Sequence, residues 1–440
     1  MNWNQLLSSQ RIGQKPTSAE YSRSAFEQDY DRIIFSHPFR RLQDKTQVHP
    51  LPEHDFVHTR LTHSLEVSSV GRSLGRIAGE EILKRHPELN ATLSHFDFGT
   101  ITAAAALAHD LGNPPFGHAG EDAISDFFKN HAEGLYFKNK ISEFEWNDLI
   151  NFEGNAQGFR IINSNQYGLK LTMATLGAFT KYPCAALLRN RNKSRKSQKK
   201  FGFFQTEKSA FEETATGLGL IKNANESWCR HPLTFLVEAA DDICYNIIDL
   251  EDGCRLGLVS LKDTIELLAS ILKGDFKPDK LEKISGQNEK VGVLRAMAIN
   301  KLVKECIDVF LGHETDILEG KFDSALTDLC DSKKSLDVIS TISVEKIYRA
   351  RHVVEIEASG HQVLPGLLQE FTQAGVYILN KEKSRKYQNL ILLLPEEIRT
   401  AIAQQPDNYY QMLRLIIDFV SGLTDRHALS LYRKIHGMSL

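Results

Sequence analysis

Apolar positions recur along this chain at intervals of three and four residues, and strict alternation is rare. That spacing predicts amphipathic helices rather than half-buried strands. Leu61, Leu65, Leu74, Ile77, Ala78 and Ile82 place one such stripe on a long helix over 59–85. Residues 98–111 follow as a buried helix, because the run ITAAAALA has no polar face and alanine both favours helix and permits close packing. Asp97 stands at its start, and Gly112, Asn113, Pro114 and Pro115 stop it. Further helices are predicted over 118–130, 152–163 and 232–252, the last with Pro232 at a tolerated first-turn position. Weaker helical pattern fills 259–360, clear pattern returns over 362–380 and 408–435, and there is no internal repeat. The expected fold class is all-α.

Composition narrows the setting. Of the 440 residues, 42% are hydrophobic and 25% charged, the balance of a soluble globular chain. A net charge of −3 makes no global electrostatic case for nucleic acid or membrane. No stretch approaches the roughly 18 apolar residues of a membrane span, and MNWNQLLSSQRIGQ lacks the basic-then-apolar pattern of a signal peptide. The six cysteines show no CxxC spacing, which predicts reduced thiols in a cytoplasmic setting and argues against a zinc-thiolate site.

One stretch resists a purely structural reading. Residues 109–121, HDLGNPPFGHAGE, place two histidines, two acids, two prolines and three glycines after a good helix. Three places in the chain combine with it. His63 lies in the long helix 59–85. His109 and Asp110 are adjacent, so on a helix they point about 100° apart and share an ion only at the helix edge. Asp241 and Asp242 interrupt an apolar helix, where an uncompensated carboxylate is costly. Asp242 is left to cap, pair or face water, which makes Asp241 the candidate ligand. Two imidazoles and two carboxylates without a thiolate suit Mn²⁺, Mg²⁺, Fe²⁺ or Zn²⁺. Such an ion lowers the pKa of its water and polarises a phosphoryl oxygen. His118 and Glu121, three apart, share a helix face, as an imidazole oriented by a carboxylate requires. Arg60 shares a face with His63, and its fork matches phosphate oxygens. Asp241, Tyr245 and Asp249 form an i, i+4, i+8 stripe.

Residues 189–200, RNRNKSRKSQKK, carry seven basic residues and no acid. They read either as a solvated loop or as a polyanion site, for a triphosphate or single-stranded nucleic acid. The FGFF that follows (201–204) reads as an anchor for the loop or as a stacking surface.

The order His…His-Asp…Asp resembles the HD-domain phosphohydrolase superfamily. HTRLTHSLEV, HDLGNPPFGHAGE, NFEGNAQGFRI, TKYP, GFFQTE, EAADDICYNIIDLED and SGLTDRHALSLY together resemble the bacterial deoxyguanosine triphosphate triphosphohydrolase (dGTPase) family, from about residue 20 onward. The resemblance implies an HD-type helical fold with additional C-terminal helices. It implies hydrolysis of a deoxynucleoside triphosphate at the α-phosphorus, dGTP favoured, and a homo-oligomer, often a hexamer. Onto this chain it carries His63, His109, Asp110 and Asp241 as metal ligands, with Mn²⁺ or Mg²⁺ favoured, and His118 with Glu121 beside the scissile bond. Arg60, Lys181, Tyr182 and Lys200 fall on phosphate-approaching positions. Tyr245 and Asp249 fall on positions near the sugar and its 3′-hydroxyl. Gln47 and Val48 fall on positions that exclude a 2′-hydroxyl. Lys200 thereby becomes functional, and the basic run before it a solvated or allosteric surface open to a dNTP effector or single-stranded nucleic acid.

The organisation expected is an N-terminal arm and leading helices (1–58), a catalytic core with the basic loop (59–255), and a helical region packed on it (256–440). Two other readings stand beside this one. One is another HD-type hydrolase, such as a nucleotidase or guanosine tetraphosphate hydrolase. The other is a nucleic-acid-binding regulator with secondary hydrolase activity.

Overall fold

A computed structural model describes residues 1–14, 23–48, 57–192, 194–380 and 384–438. Among these the fold is helical throughout, and β-structure is limited to isolated bridges such as Thr46 with Thr59. Among its helices are α1 (Ala25–Ile34), α2 (Arg60–Arg85), α3 (His95–Ala108), α4 (Gly117–Asn130), α5 (Gly154–Asn163), α6 (Met173–Phe179), α7 (Pro232–Arg255), α8 (Gln287–Gly312), α9 (Arg351–Asn380), α10 (Tyr409–Ser421) and α11 (Asp425–Ile435).

Helix α2 starts at a capping box between Thr59 and Thr62, and it buries Leu74, Ala78 and Ile82 of the stripe that spacing predicts. Leu65 and Ile77 are exposed, and small residues share the inner face with the buried large ones. An added Cβ at Gly75 would come within 2.6 Å of the Phe98 carbonyl, and one at Gly79 within 2.8 Å of the Phe98 side chain. The three glycines 71, 75 and 79, one turn apart, therefore let α3 lie directly against α2, and Ser68 Oγ donates to the Ala103 carbonyl at 2.9 Å. Large apolar residues mark only part of this face, because close helix approach also needs absent side chains.

Helix α3 buries every residue from Ile101 to Ala108, and it ends at Ala108 rather than at 111. The predicted 408–435 helix divides at Gly422, with Thr424 capping α11. The predicted 362–380 helix begins earlier, at Arg351.

Two apolar clusters result. The first gathers α1–α3, α6, α7 and α8, and the second gathers α4, Phe152, Phe201, Phe204, α9 and α10. Leu111 belongs to the first cluster and Phe116 to the second, so the turn between α3 and α4 bridges the two.

Candidate active site

The end of α3 sets the geometry. His109 is its C-cap residue, and His109 Nδ1 donates to the Ala106 carbonyl at 2.6 Å. That bond leaves the Nε2 lone pair free to face outward, which is how an outer contact fixes a ligating imidazole. His109 keeps helical dihedrals, and at this helix edge Asp110 Oδ1 still comes within 3.5 Å of His109 Nε2. Opposite them, α2 presents His63 from its first turn and α7 presents Asp241. Asp241 Oδ1 lies 3.2 Å from His63 Nε2 and 3.5 Å from His109 Nε2. Donor atoms of His63, His109 and Asp110 all fall within 4.8 Å of one another. This is a compact nitrogen–oxygen donor set without sulfur, and it fits a divalent cation.

The charges agree. Burial opposes ionisation of Asp241, but His109, the bond from His63 and Lys181 outweigh it and hold its carboxyl well below the usual range. Burial likewise opposes Asp110, and Arg60, His109 and His63 together hold it low. Both carboxylates are thus anionic at neutral pH. Asp242 behaves differently. Burial lifts its pKa to about 6, and it accepts a bond from Thr327 Oγ1 at 2.7 Å. It pairs away from the donor set, one of the alternatives open from sequence.

The donor set forms part of the wall of a cavity of about 480 Å³. Arg60 is buried on that wall, its Nη1 2.8 Å from Asp110 Oδ2 and its Nε without a partner. The turn into α4 places Phe116 and Gly117 consecutively in the left-handed region, at φ 64° and 57°. A Cβ on Gly117 would sit 3.0 Å from Arg60 Nη2, so glycine serves both the backbone and the guanidinium. His118, 82% exposed at the cavity wall, donates from Nδ1 to Glu121 Oε2 at 3.0 Å. The bond to Glu121 holds the His118 pKa above the usual imidazole value. Glu121 Oε1 accepts from the Gly154 amide at 2.7 Å. Lys200 Nζ lies 2.9 Å from Glu153 Oε2 and 3.5 Å from Glu121 Oε2. Lys181 lies 3.5 Å from Glu238, which also takes a 2.8 Å contact from Arg230. Tyr182 stands beside Lys181 on the wall.

Gln47, Val48 and Tyr245 line the far side. Gln47 Oε1 is buried without a partner, an acceptor awaiting a donor. Tyr245 stacks on Tyr348 with ring centroids 5.4 Å apart. Asp249 does not line the cavity. It stands behind Tyr348, whose hydroxyl donates to Asp249 Oδ2 at 2.7 Å, and burial pushes its pKa up to about 7. Sequence reasoning missed Tyr348, which a π-helical turn over Ser343–Tyr348 delivers, and missed Val353, Ile356 and Glu357 of α9. No local signal marks these; they reach the cavity only through tertiary packing.

The basic loop is less open than its composition suggests. Arg191 donates to the carbonyls of Ala186, Gln198 and Lys200, Arg195 Nε pairs with Asp323 at 3.0 Å, and Lys196 pairs with Asp328. Lys193 lies outside the described residues. Phe201, Phe203 and Phe204 are buried, with Phe203 stacked on Phe211 at 4.4 Å, so FGFF is an anchor and not a stacking surface. Lys199 and Lys200 are the loop residues that reach the cavity.

Comparison with known proteins gives two family matches, an HD domain over residues 60–163 and a phosphohydrolase-associated domain over residues 329–434. Along its full length the chain is 45% identical to a deoxyguanosinetriphosphate triphosphohydrolase-like protein of Synechocystis sp., covering 100% of both chains. It is 34% identical to a protein of the same description from Listeria monocytogenes, again over 100% of both chains. It is 30% identical to a deoxyguanosinetriphosphate triphosphohydrolase of Yersinia pseudotuberculosis, covering 99% of each.

Proposed function

We propose, because the chain belongs to the deoxyguanosinetriphosphate triphosphohydrolase family of HD-domain hydrolases, that it hydrolyses deoxynucleoside triphosphates at the α-phosphorus in a divalent-metal-dependent reaction. The products are the deoxynucleoside and inorganic triphosphate. The observation that carries this reading is the meeting of an anionic His–His–Asp–Asp donor set, a His–Glu pair and three cations, Arg60, Lys181 and Lys200, on the wall of one cavity. His63, His109, Asp110 and Asp241 would hold the ion, with Mn²⁺ or Mg²⁺ favoured. When bound, it supplies charge that polarises a phosphoryl oxygen and lowers the pKa of water.

The remaining steps belong to the chain's own residues. Arg60, with a free Nε, and Lys181 take non-bridging phosphate oxygens. Lys200, shared between Glu121 and Glu153 at rest, turns to the triphosphate. Water adds its oxygen to the α-phosphorus and gives up a proton to solvent, and the bond from phosphorus to the 5′-oxygen breaks. His118, protonated on both nitrogens and backed by Glu121, hands its Nε2 proton to that departing oxygen. Gln47 and Val48 face the sugar: the unpaired glutamine oxygen accepts from it, and the apolar neighbour leaves a 2′-hydroxyl without a partner. Lys199 and Lys200 give the basic loop its part at the phosphate end.

Product analysis tests this. The purified protein with Mn²⁺ or Mg²⁺ and each dNTP in turn, dGTP first because the relatives bear its name, is expected to release inorganic triphosphate. Orthophosphate or pyrophosphate as the sole inorganic product would replace this reading with that of another HD-type hydrolase.

The proton-donor assignment has its own test. A His pKa raised by a carboxylate partner means that the donating form is present at low pH and lost as pH rises through the raised value. The alkaline limb of kcat/KM is therefore expected above the ordinary imidazole value of about 6.5. In Glu121→Gln the limb should move to lower pH; an unmoved limb would assign it to another group.

A further inference from the structure

We propose that Lys45 and Asp425 are positioning residues that fix Asp110 for metal binding from behind the cavity, an inference that rests on the metal-centre reading above. Asp425, the first residue of α11, is 1% exposed. Its Oδ1 accepts from the Phe116 amide at 3.1 Å, and its Oδ2 accepts from the Thr46 amide at 3.0 Å and from the Thr46 hydroxyl. Lys45 is 4% exposed, and its Nζ donates to the carbonyls of Asn113 at 2.6 Å and Ser421 at 2.8 Å. These two side chains therefore clamp both ends of the turn 113–116 to the corner between α10 and α11.

From there the contacts converge on one carboxylate. Asn113 Nδ2 donates to Asp110 Oδ1 at 2.5 Å. The Lys45 carbonyl accepts from the Arg60 amide at 3.3 Å, and Arg60 Nη1 meets Asp110 Oδ2 at 2.8 Å. One oxygen of Asp110 is thus held through Asn113 and the other through Arg60, and both routes pass through residue 45. The two neighbours leave Asp110 one orientation in which its remaining lone pairs face His63 and His109.

The chemistry of the clamp argues for a role beyond adhesion. Burying an ammonium whose partners are carbonyls rather than carboxylates is costly, and desolvation pulls the Lys45 pKa down to about 7. Apolar residues of similar volume would hold two helices together at less cost. What they would not do is orient specific carbonyls and amides of the turn. Partners that orient metal ligands from the second layer typically contribute 10–100-fold to metal affinity. Asp425 lies within the region matched as phosphohydrolase-associated, whereas Asp110 lies within the HD match. The C-terminal region thereby takes part in the ion site without supplying a ligand.

Calorimetric titration with Mn²⁺ tests the proposal on the full-length wild type, Asp425→Asn, Lys45→Met, Asn113→Ala and His63→Ala. Asp425→Asn keeps shape but sets an amide donor against donors; Lys45→Met keeps volume. Both are expected to weaken Mn²⁺ binding by about ten- to a hundredfold, with the dNTP KM at saturating Mn²⁺ unchanged. A purely structural defect would lower the melting temperature without that split. Asn113→Ala, which cuts the contact nearest Asp110, decides the matter if either clamp variant fails to fold. Wild-type Mn²⁺ affinity in the folded variants overturns the proposal. If His63→Ala also binds Mn²⁺ as the wild type does, it is the metal-centre reading that fails.

Discussion

Replacing His109 with alanine is expected to weaken Mn²⁺ binding by more than about a hundredfold, because losing even an outer partner of a ligand costs 10–100-fold, and to leave no measurable dNTP turnover. The expectation follows from how rigidly the imidazole is aimed. Its Nδ1 is committed to the Ala106 carbonyl at 2.6 Å, so Nε2 has a single direction, toward Asp241 and Asp110. Alanine vacates the donor position and gives up the side-chain bond to the Ala106 carbonyl, but the residue 109 amide still donates to that carbonyl at 3.3 Å and keeps the helix end. Asp241→Asn should act in the same direction, because the carboxylate that two imidazoles hold ionised becomes neutral. Calorimetry with Mn²⁺ checks the first effect and a coupled product assay the second. Retained Mn²⁺ affinity in His109→Ala would remove the donor set from the mechanism.

The second large effect separates chemistry from binding. His118→Ala should lower kcat by about 10²–10⁴, the range for a positioned acid or base. Mn²⁺ affinity should stay near wild type, because the His118 side chain bonds to Glu121 and to no member of the donor set. KM should move little, since Arg60, Lys181 and Lys200 remain to hold the phosphates. Near-normal turnover with metal bound would show that His118 moves no proton in the slow step. A parallel loss of metal would show instead that the α4 start supports the ion.

Much of this was legible in the sequence where the signal is local. Helices α4, α5 and α7 begin or end within a few residues of the positions that proline, glycine and apolar spacing predict. The residues of the candidate donor set stood out because carboxylates and imidazoles inside apolar helices need a reason. The failures share a different character. The end of α3 was misjudged because Leu111 extends the apolar run, whereas the His109 side chain takes the Ala106 carbonyl and the chain turns early. The inner face of α2 departs from the predicted stripe at Leu65 and Ile77, because apolar spacing does not register the glycines 71, 75 and 79 on which α3 docks. The charge of the basic loop was overestimated because Asp323 and Asp328, its partners, lie more than a hundred residues away. Tyr348, Glu238 and Asp425 were unreadable for the same reason: their meaning exists only once distant helices meet.

The turn that joins the two apolar clusters gives ligand binding a mechanical meaning. A residue held at φ 64° is uphill for phenylalanine, by roughly 1–2 kcal/mol, and Phe116 is kept there by its burial in the second cluster. His109 and Asp110, at the other end of the same turn, adjoin the first. An ion or triphosphate that grips this segment therefore acts as a rivet across the seam, adding RT ln(1 + [L]/Kd) to the folded state. The cohesion of the two halves then depends on how much ligand the solution holds, and the cavity is as much the fastening of this molecule as its workplace.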